Sequence, residues 1–263
     1  GIKVNNYFAS EIDPAAIKIA SKNYPSTIHL GDITRWRNWN LSKIDLILGG
    51  SPCQSFSKSG NQTGFSGKSG LFYTFVDIVK SFKPRFFLLE NGEMKKEWED
   101  EITSQLDVSP VKINSKLLSA QSRPRLYWAN FPIQVPNDAG ISLSDILEEN
   151  PNPKFLHSEK ALDYLRRSPV NQRFLAFSEE LKSPCVTANF CKGVPYNVLV
   201  TGKKSKSPEL KLGEVRRFTP EECEKLQTLP VGYTSGISDT QRYKAIGNGW
   251  TVDVIAHILK VVK

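Results

Sequence analysis

The stretch IDLILGGSPCQ, residues 44–54, runs an apolar segment into a polar loop through two glycines. Ile44, Leu46, Ile47 and Leu48 read as a strand buried on both faces, the kind found inside parallel sheets. Ser51-Pro52-Cys53-Gln54 then sets a cysteine just beyond the strand end, held stiffly behind a proline. In open α/β sheets ligands bind outside the carboxyl ends of the strands. Cys53 therefore stands where a nucleophile is useful. A cysteine alone is more often inert than reactive, so its reading depends on what the neighbouring strands deliver.

Strand and helix signals alternate on both sides of this segment. Residues 4–10 read as a strand leading to Glu11. Asp13 then caps a helix with Pro14 at its first position, and Ile17, Ile19 and Ala20 supply its apolar residues. Residues 27–30 form a short strand ending in Gly31-Asp32. Downstream, residues 70–82 carry Leu71, Phe75, Ile78 and Val79 at helical spacing. Residues 85–89 are a second buried strand, ending in Glu90-Asn91, and residues 94–106 a charged helix. Residues 111–118 and 126–131 read as two further strands, antiparallel near a sheet edge. This rhythm predicts an α/β fold with a Rossmann-like, mostly parallel sheet.

The rhythm fails after Pro132. Residues 133–215 are rich in Pro, Asn, Ser and Lys with only short apolar runs. So long a structureless loop is uncommon in a compact domain, so the segment is expected to form a small irregular second lobe. Thr219-Pro220-Glu221-Glu222 restarts helix with a capping-box pattern, and residues 251–262 read as a terminal helix. The expected division is 1–132 and 216–263 for the main domain, with 133–215 as the lobe.

The chain has 263 residues, 39% hydrophobic and 24% charged, enough for a sizeable core. No apolar run approaches the roughly 20 residues of a membrane span, and no secretory leader opens the sequence. The expectation is a cytosolic protein, or a nuclear one in a eukaryote. The formal charge of +8, 35 Lys+Arg against 27 Asp+Glu, suits a polyanionic partner as well as simple solubility. Cys53, Cys185, Cys191 and Cys223 form no C-x-x-C pair, and His29, His157 and His257 complete no zinc spacing. No metal is expected. Cys185, Cys191 and Cys223 read as buried or half-buried small residues.

Four strand ends thus bring Glu11, Asp32, Cys53 and Glu90 to one sheet edge. Carboxylates at strand ends can accept from ribose hydroxyls or an exocyclic amine, whereas a Glu among apolar residues tends to hold a proton and act as an acid. Glu90 would otherwise cap a helix or pair with a cation. Arg123 and Arg125, two apart at a strand start, point to one face and could reach one substrate. Residues 246–250, IGNGW, read as a glycine-bracketed turn before the last helix, with Asn248 and Trp250 free to meet a ligand.

Taken in order, these segments resemble the DNA (cytosine-5) methyltransferases over nearly the whole chain, in compact bacterial or phage form or the de novo type. Ser51-Pro52-Cys53-Gln54 resembles that family's Pro-Cys motif, Glu90-Asn91 its Glu-Asn motif, and Gln121-x-Arg123-x-Arg125 its Gln-x-Arg-x-Arg motif. Arg217-x-Thr219-Pro220-x-Glu222 with Leu226-Gln227 is similar to the segment returning from the recognition region, and Gly247-Asn248-Gly249-Trp250 to the closing cofactor-side motif. The resemblance implies a class I methyltransferase fold, S-adenosylmethionine as cofactor and double-stranded DNA as partner. It implies that Cys53, Glu90, Arg123 and Arg125 are catalytic, and that Glu11, Ile12, Asp32, Ile33, Pro52, Leu71, Asn248 and Trp250 bind the cofactor. It makes residues 54–69, with Gly60, Gly64, Gly67, Lys58 and Lys68, a loop closing over DNA. It makes 133–215 the target-recognition lobe, where Lys203, Lys204 and Lys206 could meet phosphates and Asn189 or Lys192 bases.

Two departures accompany the resemblance. The family's opening strand and its Gly-rich Phe-x-Gly-x-Gly loop are not found in the sequence, displaced or otherwise. Residues preceding Gly1 in a longer protein, a separate chain, or a degenerate site would each account for this, the first being favoured because Cys53, Glu90 and Arg125 are intact. A protein of this length is accordingly expected to bind S-adenosylmethionine weakly or not at all. Gly92 stands where the family has Val and is expected to loosen the backbone beside Glu90. The competing reading is a catalytically inactive, methyltransferase-like DNA-binding protein. A Cys-dependent hydrolase would need a histidine beside Cys53; His29 precedes the Gly31-Asp32 turn and His257 falls on the last helix.

Overall fold

The computed structural model describes residues 2–51, 70–205 and 208–262. Strand β1 (Phe8–Ala9) pairs in parallel with β2 (Ile28–His29) across helix α1 (Pro14–Asn23). Asp13 caps α1 by accepting from the Ala15 amide at 2.8 Å, as its sequence predicts. Strand β3 (Leu46–Gly50), helix α2 (Leu71–Phe82) and strand β4 (Phe86–Gly92) make a second parallel pair. Helix α3 (Lys96–Leu106) and strands β5 (Val111–Asn114) and β6 (Pro124–Ala129) follow. The four-stranded sheet has the order β3-β4-β6-β5, and β6 runs antiparallel to both β4 and β5. The sheets are thus mixed, with parallel pairs at β1–β2 and β3–β4 and the expected antiparallel strands at the far edge.

Residue alternation along these strands sorts side chains onto two faces. Phe87, Leu89, Leu126 and Trp128 face α2 and α3, packing on Phe72, Phe75, Val76 and Ile102. Leu88 and Tyr127 face helix α7 (Val252–Ile258), packing on Val254, Ile255 and Ile258. Strand β4 is buried nearly throughout, but β3 is only half-buried, contrary to its doubly buried reading. The reason is position: β3 is the outer strand of its sheet, and Leu46, Leu48 and Gly49 line a cavity of about 410 Å³ that also touches Phe8, Ser10 and Leu30.

The region 133–215 is more regular than its composition suggests. Helix α4 (Glu159–Arg166) covers a sheet of β7 (Leu175–Phe177), β8 (Val198–Val200) and β9 (Val215–Arg216). Leu162, Leu165, Phe177, Val198, Leu210 and Val215 form its small core. A further cluster joins Ala176, Val186, Phe190 and Leu199 of this region to Phe218, Cys223, Tyr243 and Ile246 of the returning segment. That segment contains α5 (Pro220–Leu226) and α6 (Asp239–Asn248). The Thr219–Glu222 capping box forms in both directions, at 3.1 and 2.8 Å. No helix among the described residues is long and apolar enough to cross a membrane.

Candidate active site

Glu90 lies directly opposite Gly50 of β3 and Tyr127 of β6, on the sheet face covered by α7. It is buried, 8% exposed, and both carboxylate oxygens have donors. Arg125 Nε reaches Oε1 at 2.8 Å, and the Trp250 indole N–H donates to Oε2 at 3.1 Å. Burial, reinforced by the Glu90 charge, pushes the neighbouring Tyr127 phenol far above its ordinary range. The two glycines before the candidate nucleophile have separate steric reasons. A Cβ on Gly49 would fall 2.5 Å from the Phe75 ring, and one on Gly50 would sit 3.1 Å from Trp250 Nε1.

Asn91 ties β4 to the end of β3, its Nδ2 donating to Ser51 Oγ at 2.8 Å. Gly92 is buried and makes the last pair of the β4–β6 ladder, opposite Arg125, while its N–H donates to Asn91 Oδ1 at 2.8 Å. The ladder therefore holds the backbone at the position where glycine was expected to loosen it. Pro52, Cys53, the loop 54–69 and Lys206 lie outside the described residues.

Both arginines point to the α7 side, and both approach Cys185 Sγ, at 3.2 Å for Arg123 and 3.9 Å for Arg125. Their partners differ. Arg125 engages Glu90, whereas the buried Arg123 guanidinium donates to the carbonyls of Val186 at 2.7 Å, Gly247 at 3.2 Å and Gly249 at 2.8 Å. The expectation that both arginines reach one substrate therefore needs correcting. Arg123 is occupied in joining β6, the 185–186 segment and the α6–α7 turn. Fully buried Gln121 and Gln227 complete that junction. Gln121 donates to Gln227 Oε1 at 2.9 Å and accepts from the Val186 amide at 3.1 Å. Gln227 donates to the carbonyls of Ile246 and Gly249 at 2.8 and 3.0 Å. The spacing of these glutamines marks them as motif residues but does not reveal that they bind each other.

The 246–250 segment also differs from its reading as a turn. Ile246, Gly247 and Asn248 form the last turn of α6, with Gly249 as its cap. Asn248 is exposed, and Trp250 is half-buried with its indole turned to Glu90.

Glu11 and Asp32 follow the adjacent ends of β1 and β2, which are joined by Ser10 Oγ donating to the Gly31 carbonyl at 2.7 Å. Glu11 Oε1 accepts from the Ile12 and Asp13 amides at 2.7 and 2.8 Å. Asp32 Oδ1 accepts from the Thr34 amide at 2.9 Å, a bond that holds its carboxyl below the usual range. Ile33 lines the cavity between β1 and β3, Ile12, next to Glu11 in sequence, is 70% exposed, and Leu71 is half-buried at the start of α2. Two acids with flanking apolar side chains at neighbouring strand ends suit a nucleoside. Within residues 133–215, Lys203 and Lys192 are exposed, Lys204 pairs with Glu180 at 3.4 Å and Asn189 is half-buried.

Residues 1–127 and 131–263 match the profile of the C-5 cytosine-specific DNA methylases. The chain is 29% identical over 284 residues to the type II methyltransferase M1.ScrFI of Lactococcus lactis subsp. cremoris, covering 96% of this chain and 70% of that protein. It is 29% identical over 283 residues to the type II methyltransferase M.NlaX of Neisseria lactamica, covering 97% and 88%. Its fold is similar to the solved structure of the Entamoeba histolytica methyltransferase EhMeth, with a TM-score of 0.75 at 19% identity, covering all of this chain and 92% of the other.

Proposed function

Because the chain belongs to the C-5 cytosine-specific DNA methylase family, we propose that it methylates cytosine in double-stranded DNA, with Cys53 as nucleophile and Glu90 and Arg125 as the groups that hold the base. The observation carrying this reading is the buried Glu90 carboxylate, clasped by Arg125 at 2.8 Å and set opposite the strand end that leads to Cys53.

Cytosine C5 is a poor nucleophile, and in a duplex the ring is stacked, so the base must leave the stack to be reached. Addition of the Cys53 thiolate to C6 breaks ring aromaticity and raises electron density on C5. Glu90 shares a proton with N3 and so steadies the negative charge that addition develops there. Arg125 keeps the carboxylate oriented and presents a cation to the O2 edge. After methylation, loss of the C5 proton restores the ring and expels the sulfur, which both adds and leaves readily. Arg123 acts by holding the 185–186 and 247–250 segments around this pocket.

S-adenosylmethionine supplies the electrophilic methyl group when bound. The donor set at the ends of β1 and β2 fits its adenosine half: Glu11 and Asp32 can accept from the ribose diol and the purine amine, with Ile12 and Ile33 as apolar flanks. Leu71, Asn248 and Pro52 complete the proposed contacts. Residues 133–215 read as the target-recognition lobe, with Lys203, Lys204 and Lys206 towards phosphates and Asn189 and Lys192 towards bases.

Bisulfite sequencing of DNA exposed to the full-length enzyme and S-adenosylmethionine reports activity and target site together. Methylated cytosines should resist deamination at one recurring sequence, and Cys53→Ser or Glu90→Gln should lower methyl incorporation by at least about a hundredfold. DNA carrying 5-fluorocytosine should trap the wild-type protein covalently and spare Cys53→Ser. A Cys53→Ser variant with wild-type incorporation would sink the mechanism.

A further inference from the structure

Trp250 was expected among the cofactor contacts, yet its indole N–H is spent on Glu90 Oε2, at 3.1 Å. With Arg125 Nε on Oε1 at 2.8 Å, the two donors load both carboxylate oxygens and fix the plane of the group. They come from distant parts of the chain, β6 and the α6–α7 turn.

Three features show that this contact is built in. Gly50 faces Glu90 across the ladder, and its missing side chain leaves the space the indole edge occupies: a Cβ there would sit 3.1 Å from Trp250 Nε1 and 3.5 Å from Glu90 Oε2. The Trp250 ring packs on the cluster containing Leu88, Tyr127 and Val254. The residues on either side of it are pinned by buried groups. Gly249 O accepts from Arg123 at 2.8 Å and Gln227 at 3.0 Å, and Thr251 Oγ1 donates to Gln227 Oε1 at 2.8 Å. Thr251 also meets Ser115 Oγ at 2.8 Å. The indole is therefore held from behind by the protein itself, independently of any ligand.

We propose that Trp250 is a positioning residue for Glu90, fixing the carboxylate so that one edge faces the extruded base, and that Arg123 and Gln227 act through it. The inference rests on the reading of Glu90 as the group that holds cytosine N3. A contact to the cofactor predicts a loss in its binding; a positioning role predicts a loss in turnover.

Trp250→Phe keeps an aromatic ring in the cluster and removes the donor. Steady-state methyl transfer should show kcat reduced about ten- to a hundredfold, the range for a hydrogen bond to a charged group, with KM for S-adenosylmethionine within twofold of wild type. In a Glu90→Gln background the same change should cost far less, because the two residues act as one unit. Gly50→Ala is the second variant. It sets a methyl against the indole edge, 3.1 Å from Trp250 Nε1 and 3.5 Å from Glu90 Oε2, while leaving both residues in the sequence, and should reproduce the kcat-only loss even if Trp250→Phe folds poorly. A raised KM at unchanged kcat in Trp250→Phe, or unchanged kcat in Gly50→Ala, overturns the proposal. Full activity in Glu90→Gln would instead remove the reading of Glu90 on which it stands.

Discussion

Replacing Gly247 by alanine should destabilise the protein, although alanine is the better helix former by about 1 kcal/mol. Gly247 lies in the last turn of α6, where the backbone of Thr187 and Ala188 crosses against it. An added Cβ would meet Thr187 C at 2.2 Å, Ala188 N at 2.3 Å and Thr187 O at 2.6 Å. These are backbone atoms, so no rotamer change relieves the clash. Ordinary carbon contact lies near 3.5 Å, so the helix and the crossing segment must part by roughly 1 Å. Forcing a methyl into such a contact costs about 1–3 kcal/mol. The movement also stretches the Arg123 bonds to the carbonyls of Gly247 and Gly249, and losing one bond to a charged group costs about 1.5–3 kcal/mol. After the helix-propensity gain is set against these, the net loss is about 2–5 kcal/mol. Urea unfolding followed by far-ultraviolet circular dichroism should show the midpoint lowered by about 1 M or more. Asn248→Ala, at the exposed neighbouring position, should shift it little. A Gly247→Ala midpoint equal to or above wild type would refute the close-packing account of this helix end.

Glu11→Ala should raise KM for S-adenosylmethionine at least about tenfold while leaving kcat nearly unchanged, since a lost charge-assisted bond to ribose weakens binding by that order; initial rates at varied methyl donor measure it. His157 is buried, with Nε2 at 3.0 Å from the Asn197 carbonyl, and burial lowers its pKa in the fold. As pH falls below about 6.5 the unfolded chain takes up a proton that the folded ring resists, so its contribution to stability is present above that pH and lost below it. Wild-type melting temperature should therefore fall more steeply between pH 7 and pH 5 than that of His157→Gln, and parallel profiles would contradict the assignment.

The order of elements and the capped starts of α1 and α5 were legible in the sequence because each depends on local chemistry. A proline behind an aspartate, a threonine three residues before a glutamate, or an apolar run before Glu90 carries its meaning within a few positions. The parallel β3–β4 pair and the antiparallel turn of the sheet at β6 followed from the same local rhythm. The region 133–215 was poorly legible. Its strands are two or three residues long and draw their stability from Val198, Phe177 and Leu162 meeting across sequence gaps.

Tertiary structure alone decided how the two motif arginines divide their work. Arg123 and Arg125 look equivalent in sequence, two apart on one strand face. The guanidinium at 123 meets three backbone carbonyls from segments 63 to 126 residues away, whereas that at 125 meets a carboxylate. The same holds for Gly247, a turn residue by its neighbours and a helix residue shaped by the Thr187 backbone in the fold, and for Trp250, 160 residues from the acid it touches. Periodicity and capping report what a residue does to its own segment. Which distant carbonyl, ring or carboxylate fills the space around it depends on how the segments pack, and that information is shared among residues no local pattern connects.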